Sequence, residues 1–164
     1  MVNPDGVVAG CSKANFGGVD MNRRWGENVL NACATPELSM LKEYIMALGE
    51  KVSVFIDIQG HSMADGLLLY SSQGTNLVNK IKNGDAVDGM ELDNWFIEHS
   101  LSKWMHMHSQ FSDEKSDRFL SYREDRAIAK QNSSRCVVFN ELCIPVSTIV
   151  ETSFFGFTNK KDTT

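Results

Sequence analysis

The sequence lacks the marks of three large classes of protein. Its four cysteines, Cys11, Cys33, Cys136 and Cys143, form no Cys-x-x-Cys pair and no tight framework. That excludes a disulfide scaffold and points to reduced thiols, and with no signal peptide at the start the expected compartment is the cytoplasm. Basic residues are too few for a phosphate-binding stripe: 16 Lys and Arg face 21 Asp and Glu, for a net charge of −5. Sequence-independent binding of nucleic acid is therefore not expected. The apolar stretches are short, as at 52–58, so none spans a membrane.

What is present fits one globular domain. The 164 residues are 42% hydrophobic and 23% charged, enough to bury a core. Residues 3–23 are turn-rich, with glycines at 6, 10, 17 and 18 and a Pro4-Asp5-Gly6 turn. Thr35, Pro36 and Glu37 read as N-cap, first-turn proline and acidic first turn of a helix. Leu38, Leu41, Ile45 and Leu48 give it an apolar face, and Gly49 closes it. Residues 52–58 read as a buried strand ending at Gly60, and 67–70 as another. Residues 92 to about 111 read as a helix on which Trp95, Phe96, Trp104 and Met107 make a broad apolar surface. The polar stretch 112–130 reads as surface loop, and 136–139 and 148–151 as two further strands. The sum is an α/β fold, a mixed or mostly parallel sheet flanked by helices. In such sheets ligands sit beyond the carboxyl ends of the strands, where Gln59–Ser62 and Glu151–Ser153 both stand.

Two groups of residues could carry chemistry. Glu151 ends a β-branched run, Ser147-Thr148-Ile149-Val150, and its setting among Ile149, Val150, Phe154 and Phe155 predicts partial burial, which suits a general base. Asn22 and Arg23 pair an amide with a planar fork of guanidinium donors, a combination suited to gripping a carboxylate. Alone, each group has a plainer account, a surface charge and a solvated turn. The histidines give no metal set. His106 and His108 are two apart on a helix and do not face one another, and His99 and His106 share a face with no carboxylate at ligand spacing.

The order of the motifs adds to this. Asn3-Pro4-Asp5-Gly6, Asp20-Met21-Asn22-Arg23, Asp57-Ile58-Gln59-Gly60-His61-Ser62, Ser134-Arg135-Cys136-Val137 and Glu151-Thr152-Ser153-Phe154 together resemble the zinc carboxypeptidases, in the spacing of their cytosolic branch. The resemblance runs from about residue 2 to about residue 157. It implies a carboxypeptidase sandwich fold, zinc as cofactor, and hydrolysis of C-terminal residues, glutamate from acidic tails in particular. The implied partners are peptide or protein C-terminal tails, including polyglutamylated proteins. By similarity Asn22 and Arg23 would hold the substrate carboxylate, Glu151 would be the general base, and Arg135 would lie near the pocket for the terminal side chain.

The departures from the family pattern shape the expectation for this chain. Lys13 stands where the family has the arginine that stabilises the oxyanion, keeping the charge without the fork. Gln59 stands where the family has its third zinc ligand, and His61, two residues on, is not expected to replace it because the strand should end at Gly60. The family's first two ligands belong before Met1. Its catalytic tyrosine has no evident counterpart: Ala129 falls near the place and Tyr122 is a loose substitute. The expected organisation is a partial catalytic domain over 1–157, incomplete at its N-terminus through truncation, a gene-model error or decay, with a polar tail over 158–164. It is expected neither to bind catalytic zinc tightly nor to hydrolyse peptides. A pseudoenzyme that binds C-terminal carboxylates without cutting them is the alternative.

Overall fold

Thr35, Pro36 and Gly49 bound a helix as their chemistry dictates. In the computed structural model, which describes residues 1–11, 13–26, 34–62, 65–74, 77–109, 111, 118–121 and 131–156, helix α2 spans Pro36–Leu48. Gly49 at its C-cap has φ +56°, a conformation that costs glycine little. Before α2 come, among the described residues, a short helix α1 (Pro4–Val8) and a one-turn 3-10 helix (Met21–Arg23). The Pro4-Asp5-Gly6 turn is thus the first turn of α1, capped by Asn3, whose side-chain oxygen accepts from the Gly6 N–H at 3.1 Å. Gly6 is required there by space: a Cβ would stand 2.5 Å from the Ala14 carbonyl oxygen.

After α2 the chain forms β1 (Val54–His61), β2 (Leu67–Gln73), α3 (Leu77–Asn83), α4 (Gly89–His108), β3 (Arg118–Ser121), α5 (Ser134–Asn140) and β4 (Val146–Ser153). The strands make one four-stranded sheet in the order β1-β4-β2-β3. β1 runs parallel to β4, β2 antiparallel to β4, and β3 parallel to β2. The expected mixed sheet with helices on its faces is therefore the observed one.

Three local expectations are corrected. Residues 136–139 are helical, not a strand, because they lie inside α5; a four-residue apolar run does not distinguish a buried strand from a buried helix turn. β1 does not end at Gly60 but continues to His61, held by pairing of Gly60 with Thr152 and His61 with Ser153. The apolar surface expected on α4 is split: Phe96, Trp104 and Met107 are exposed, while Trp95 is half-buried. The stripe that α4 turns inward instead includes Trp95, Glu98, Ser102 and Met105. The Asp88–Glu91 capping box starts α4. The stretch 112–130 contains β3; its remaining residues, with Tyr122 and Ala129, lie outside the described set, as do Cys33 and the tail from 157 on. The other three cysteines, Cys11, Cys136 and Cys143, are free thiols.

The two faces of the sheet are covered differently. Helices α2 and α5 close one face, where Met21, Trp25, Leu38, Ile45, Val137, Val138 and Ile144 form the core and Trp25 meets Phe55 edge-on at 5.7 Å. Burying each such side chain is worth about 1.5–3 kcal/mol. Helix α4 packs over β2 and β4 on the other face. There β1 stays bare: Val54, Ile56 and Ile58 are 49%, 44% and 73% exposed. Among the described residues no strand pairs with the outer edge of β1, and no helix is long and apolar enough to cross a membrane.

Glu98 is an acid in the inner stripe of α4, 7% exposed, taking the Gly74 N–H at 3.1 Å. Burial pushes its carboxyl above the ordinary value of 4.5, partly offset by that hydrogen bond. The unfolded chain therefore releases this proton first as pH rises. Stability falls from about pH 4.5 upward until the folded-state pKa is passed. Glu98→Gln keeps an acceptor for Gly74 and removes the charge. Its melting temperature is expected to exceed that of the parent at pH 7, with the gain shrinking as pH falls towards 4.5. A gain independent of pH would refute the account.

Candidate active site

Parallel pairing of β1 with β4 sets Gln59 beside Glu151 and His61 beside Ser153. Side chains two apart on a strand share a face, so Asp57, Gln59 and His61 line up with Ile149, Glu151 and Ser153. On this face His61 Nε2 stands 3.6 Å from Glu151 Oε2, both side chains about one-fifth exposed. The extra length of β1 makes that contact possible. Phe154 lies across the strand from this face: its N–H donates to the His61 carbonyl at 3.0 Å, and its ring lies over Gly60, where a Cβ, pointing to the opposite face of β1, would come within 2.2 Å of it. Glu151 is half-buried, as its apolar setting predicts.

Gln59 is turned away from Glu151. Its Nε2 donates to Asp57 Oδ2 at 2.8 Å, and the same Asp57 oxygen accepts the Ser134 hydroxyl at 2.6 Å. Ser134, fully buried at the start of α5, donates its backbone N–H to Asn22 Oδ1 at 2.9 Å. The turn that carries Asn22 is itself closed by Asp20, whose carboxylate accepts the Asn22 N–H at 3.0 Å. The structure thus joins the Asn22–Arg23 turn to the strand face that holds Gln59 and Glu151. Sequence reasoning missed both linking residues, Asp57 and Ser134. The available signal was a carboxylate between Ile56 and Ile58 in a strand otherwise apolar, which needs a buried partner.

The remaining candidates are placed as follows. Arg23 is half-buried and donates from Nη1 to the Asn22 carbonyl at 3.1 Å, with no ion pair among the described residues. Lys13 is exposed, one residue before the isolated bridge between Ala14 and Asp20. Arg135 is 4% exposed and donates from Nη1 to Ser72 Oγ at 3.3 Å. Its carbonyl accepts from Ser147 Oγ at 2.9 Å, four residues before Glu151 on β4, or about 13 Å along the strand. It therefore sits in the packing of α5 on the sheet, away from Glu151. His99 is spent within α4, hydrogen-bonded through Nδ1 to the Trp95 carbonyl and stacked on the Trp95 ring. Burial lowers its pKa from the usual 6.5, which keeps it neutral at pH 7.

Among the described residues the donors do not make up a catalytic zinc site. Such a site takes three protein ligands and leaves one position open. Gln59 offers only a neutral amide oxygen, its NH2 being held by Asp57, and His61 and Glu151 are one ligand short. Among the described residues no group of three His, Cys, Asp or Glu side chains could hold a metal ion.

The fold is that of solved metallo-carboxypeptidases. The enzyme from Burkholderia cenocepacia superposes with a TM-score of 0.66 at 18% identity, over 93% of this chain and 34% of that one. The Pseudomonas aeruginosa metallo-carboxypeptidase in complex with (2-guanidinoethylmercapto)succinic acid gives 0.63 at 18% identity, over 93% and 35%. The fold is thus carboxypeptidase-like, in keeping with the resemblance of the motif order to zinc carboxypeptidases. In sequence, part of the chain is similar to cytosolic carboxypeptidases. It is 36% identical over 73 residues to cytosolic carboxypeptidase 1 of Danio rerio, and 33% identical over 73 residues to cytosolic carboxypeptidase 4 of Homo sapiens. Those alignments take in 43% of this chain and 6% of each relative. No protein-family model matches the chain.

Proposed function

We propose that this chain is a metallocarboxypeptidase-type domain that grips the free C-terminal carboxylate of a peptide and, by itself, does not hydrolyse it. The observation that carries this reading is the state of Asn22. Its amide oxygen is taken by the Ser134 N–H, so its NH2 group is the end left to donate, beside the guanidinium of Arg23. An amide donor next to a fork of charged donors matches a carboxylate. No hydrolytic step is assigned, because the described donors do not fit zinc.

The ligand class is an acidic, glutamate-ending tail of a peptide or protein, polyglutamylated proteins included, and the compartment is the cytoplasm. Both follow from the resemblance to the cytosolic carboxypeptidases. The burial of Arg135 against Ser72 lends the glutamate preference no support, so that preference needs its own test.

Fluorescence anisotropy with N-terminally labelled peptides supplies it. A peptide ending in free glutamate is expected to bind at least ~10-fold more tightly than its C-terminally amidated twin, the loss of one charged hydrogen bond being worth about 1.5–3 kcal/mol. Arg23→Ala is expected to abolish the difference, and chelators to leave it unchanged. Equal binding of acid and amide by the parent chain would end the proposal. Equal binding of peptides ending in glutamate and leucine would end the glutamate assignment alone.

A further inference from the structure

The Asn22 amide can point its oxygen either way, and what fixes it lies in two other elements. The backbone N–H of Ser134 can only donate, so the group 2.9 Å away must be the Asn22 oxygen. Ser134 in turn is fixed by its hydroxyl, which donates to Asp57 Oδ2 at 2.6 Å, short as hydrogen bonds to a charged acceptor are. Asp57 is anchored in the middle of β1, paired with Ile149 of β4. Gln59 donates to the same oxygen at 2.8 Å. Three residues far apart in sequence thus make one chain of hydrogen bonds from the sheet to the turn.

We infer that Asp57 and Ser134 are positioning residues for C-terminal carboxylate recognition, which they serve by holding the start of α5 so that Asn22 presents its NH2 to the ligand. The inference rests on the proposed role of Asn22 and Arg23. Neither Asp57 nor Ser134 touches the peptide. With Asp57 removed, the Ser134 hydroxyl loses its acceptor, the first turn of α5 gains freedom, and the Asn22 amide is free to rotate. A rotated amide presents oxygen to the ligand carboxylate, a repulsive contact in place of a hydrogen bond. An amidated C-terminus tolerates either orientation, because it offers both a donor and an acceptor. The effect is therefore on discrimination between acid and amide and not on binding in general.

The test uses the full chain and the same pair of labelled peptides, free-acid and amidated. Asp57→Ala is expected to weaken free-acid binding about 10-fold and to leave amide binding within about 2-fold. Asp57→Asn keeps an acceptor oxygen for Ser134 and is expected to restore most of the preference, a rescue that a purely structural role would not confine to one peptide. Ser134→Ala, which keeps the backbone N–H and loses the hydroxyl, is expected to give an intermediate loss. Should Asp57→Ala melt below the assay temperature, Ser134→Ala carries the same test. If the parent chain prefers the free acid and both alanine variants keep that preference, the positioning role is overturned while the carboxylate reading stands. If the parent shows no preference, the reading of Asn22 and Arg23 falls and this inference falls with it.

Discussion

Mixed with zinc and a peptide ending in free glutamate, the 164-residue chain is expected to release no amino acid above the buffer background. The expectation follows from Gln59. A carboxylate acting as base, the role the resemblance implies for Glu151, needs a water acidic enough to deprotonate. Bulk water has a pKa of ~15.7 and a protein zinc site brings it to ~7. That gap of about nine units, at ~1.4 kcal/mol each, is roughly 12 kcal/mol of activation. Gln59 gives its amide to Asp57, and the His61–Glu151 pair across the strands does not complete a zinc site. Hydrogen-bonding groups alone do not make up a deficit of that size. Mass spectrometry of the peptide after prolonged incubation, with equilibrium dialysis of zinc, decides the matter. One tightly bound equivalent of zinc accompanied by loss of the terminal residue would refute it.

The second large effect is expected at Asn22. Asn22→Asp is isosteric and keeps the oxygen that accepts from Ser134. It replaces the NH2 that would face a peptide carboxylate with a second oxygen carrying charge. A charge-assisted hydrogen bond worth about 1.5–3 kcal/mol is lost, and like charges are brought together. Affinity for the free-acid peptide is expected to fall about 100-fold, which corresponds to about 2.8 kcal/mol, with little change for the amidated peptide. The melting temperature should move little, since the Ser134 contact survives. An equal loss of both peptides would mean that Asn22 supports the fold and not the ligand.

Much of the architecture was legible from residue order because it is locally encoded. Thr35, Pro36 and Gly49 state the ends of α2 in cap chemistry, and the apolar run before Gln59 states a strand. The order of five motifs carried the fold class further than any one of them. What was not legible depends on contacts distant in sequence. Whether residues 136–139 are helix or strand was decided by where α5 packs, not by their composition. The continuation of β1 past Gly60 depends on pairing with Thr152 and Ser153, about ninety positions away, as a count along the chain shows. The Asn22–Ser134–Asp57 connection spans 112 and 77 positions, so no window of sequence contains it. The orientation of α4 was not legible for a related reason. Helical spacing identifies faces, but the neighbours choose which face turns inward, and here Glu98 and Ser102 went in while Trp104 stayed out.

The outer margin of β1 bears on how the molecule behaves in a test tube. Its eight residues contain neither proline nor lysine, the usual devices that keep such a margin from recruiting another chain. The charge it does carry, Asp57, is committed to Ser134 and faces inward. Among the described residues nothing pairs with this margin, so it presents a ladder of peptide groups beside Val54, Ile56 and Ile58, and association in concentrated stocks is expected to start there. Ile56→Lys is the natural solubilising substitution, since it puts a charge on the bare face while leaving Asp57, Gln59 and His61 on theirs.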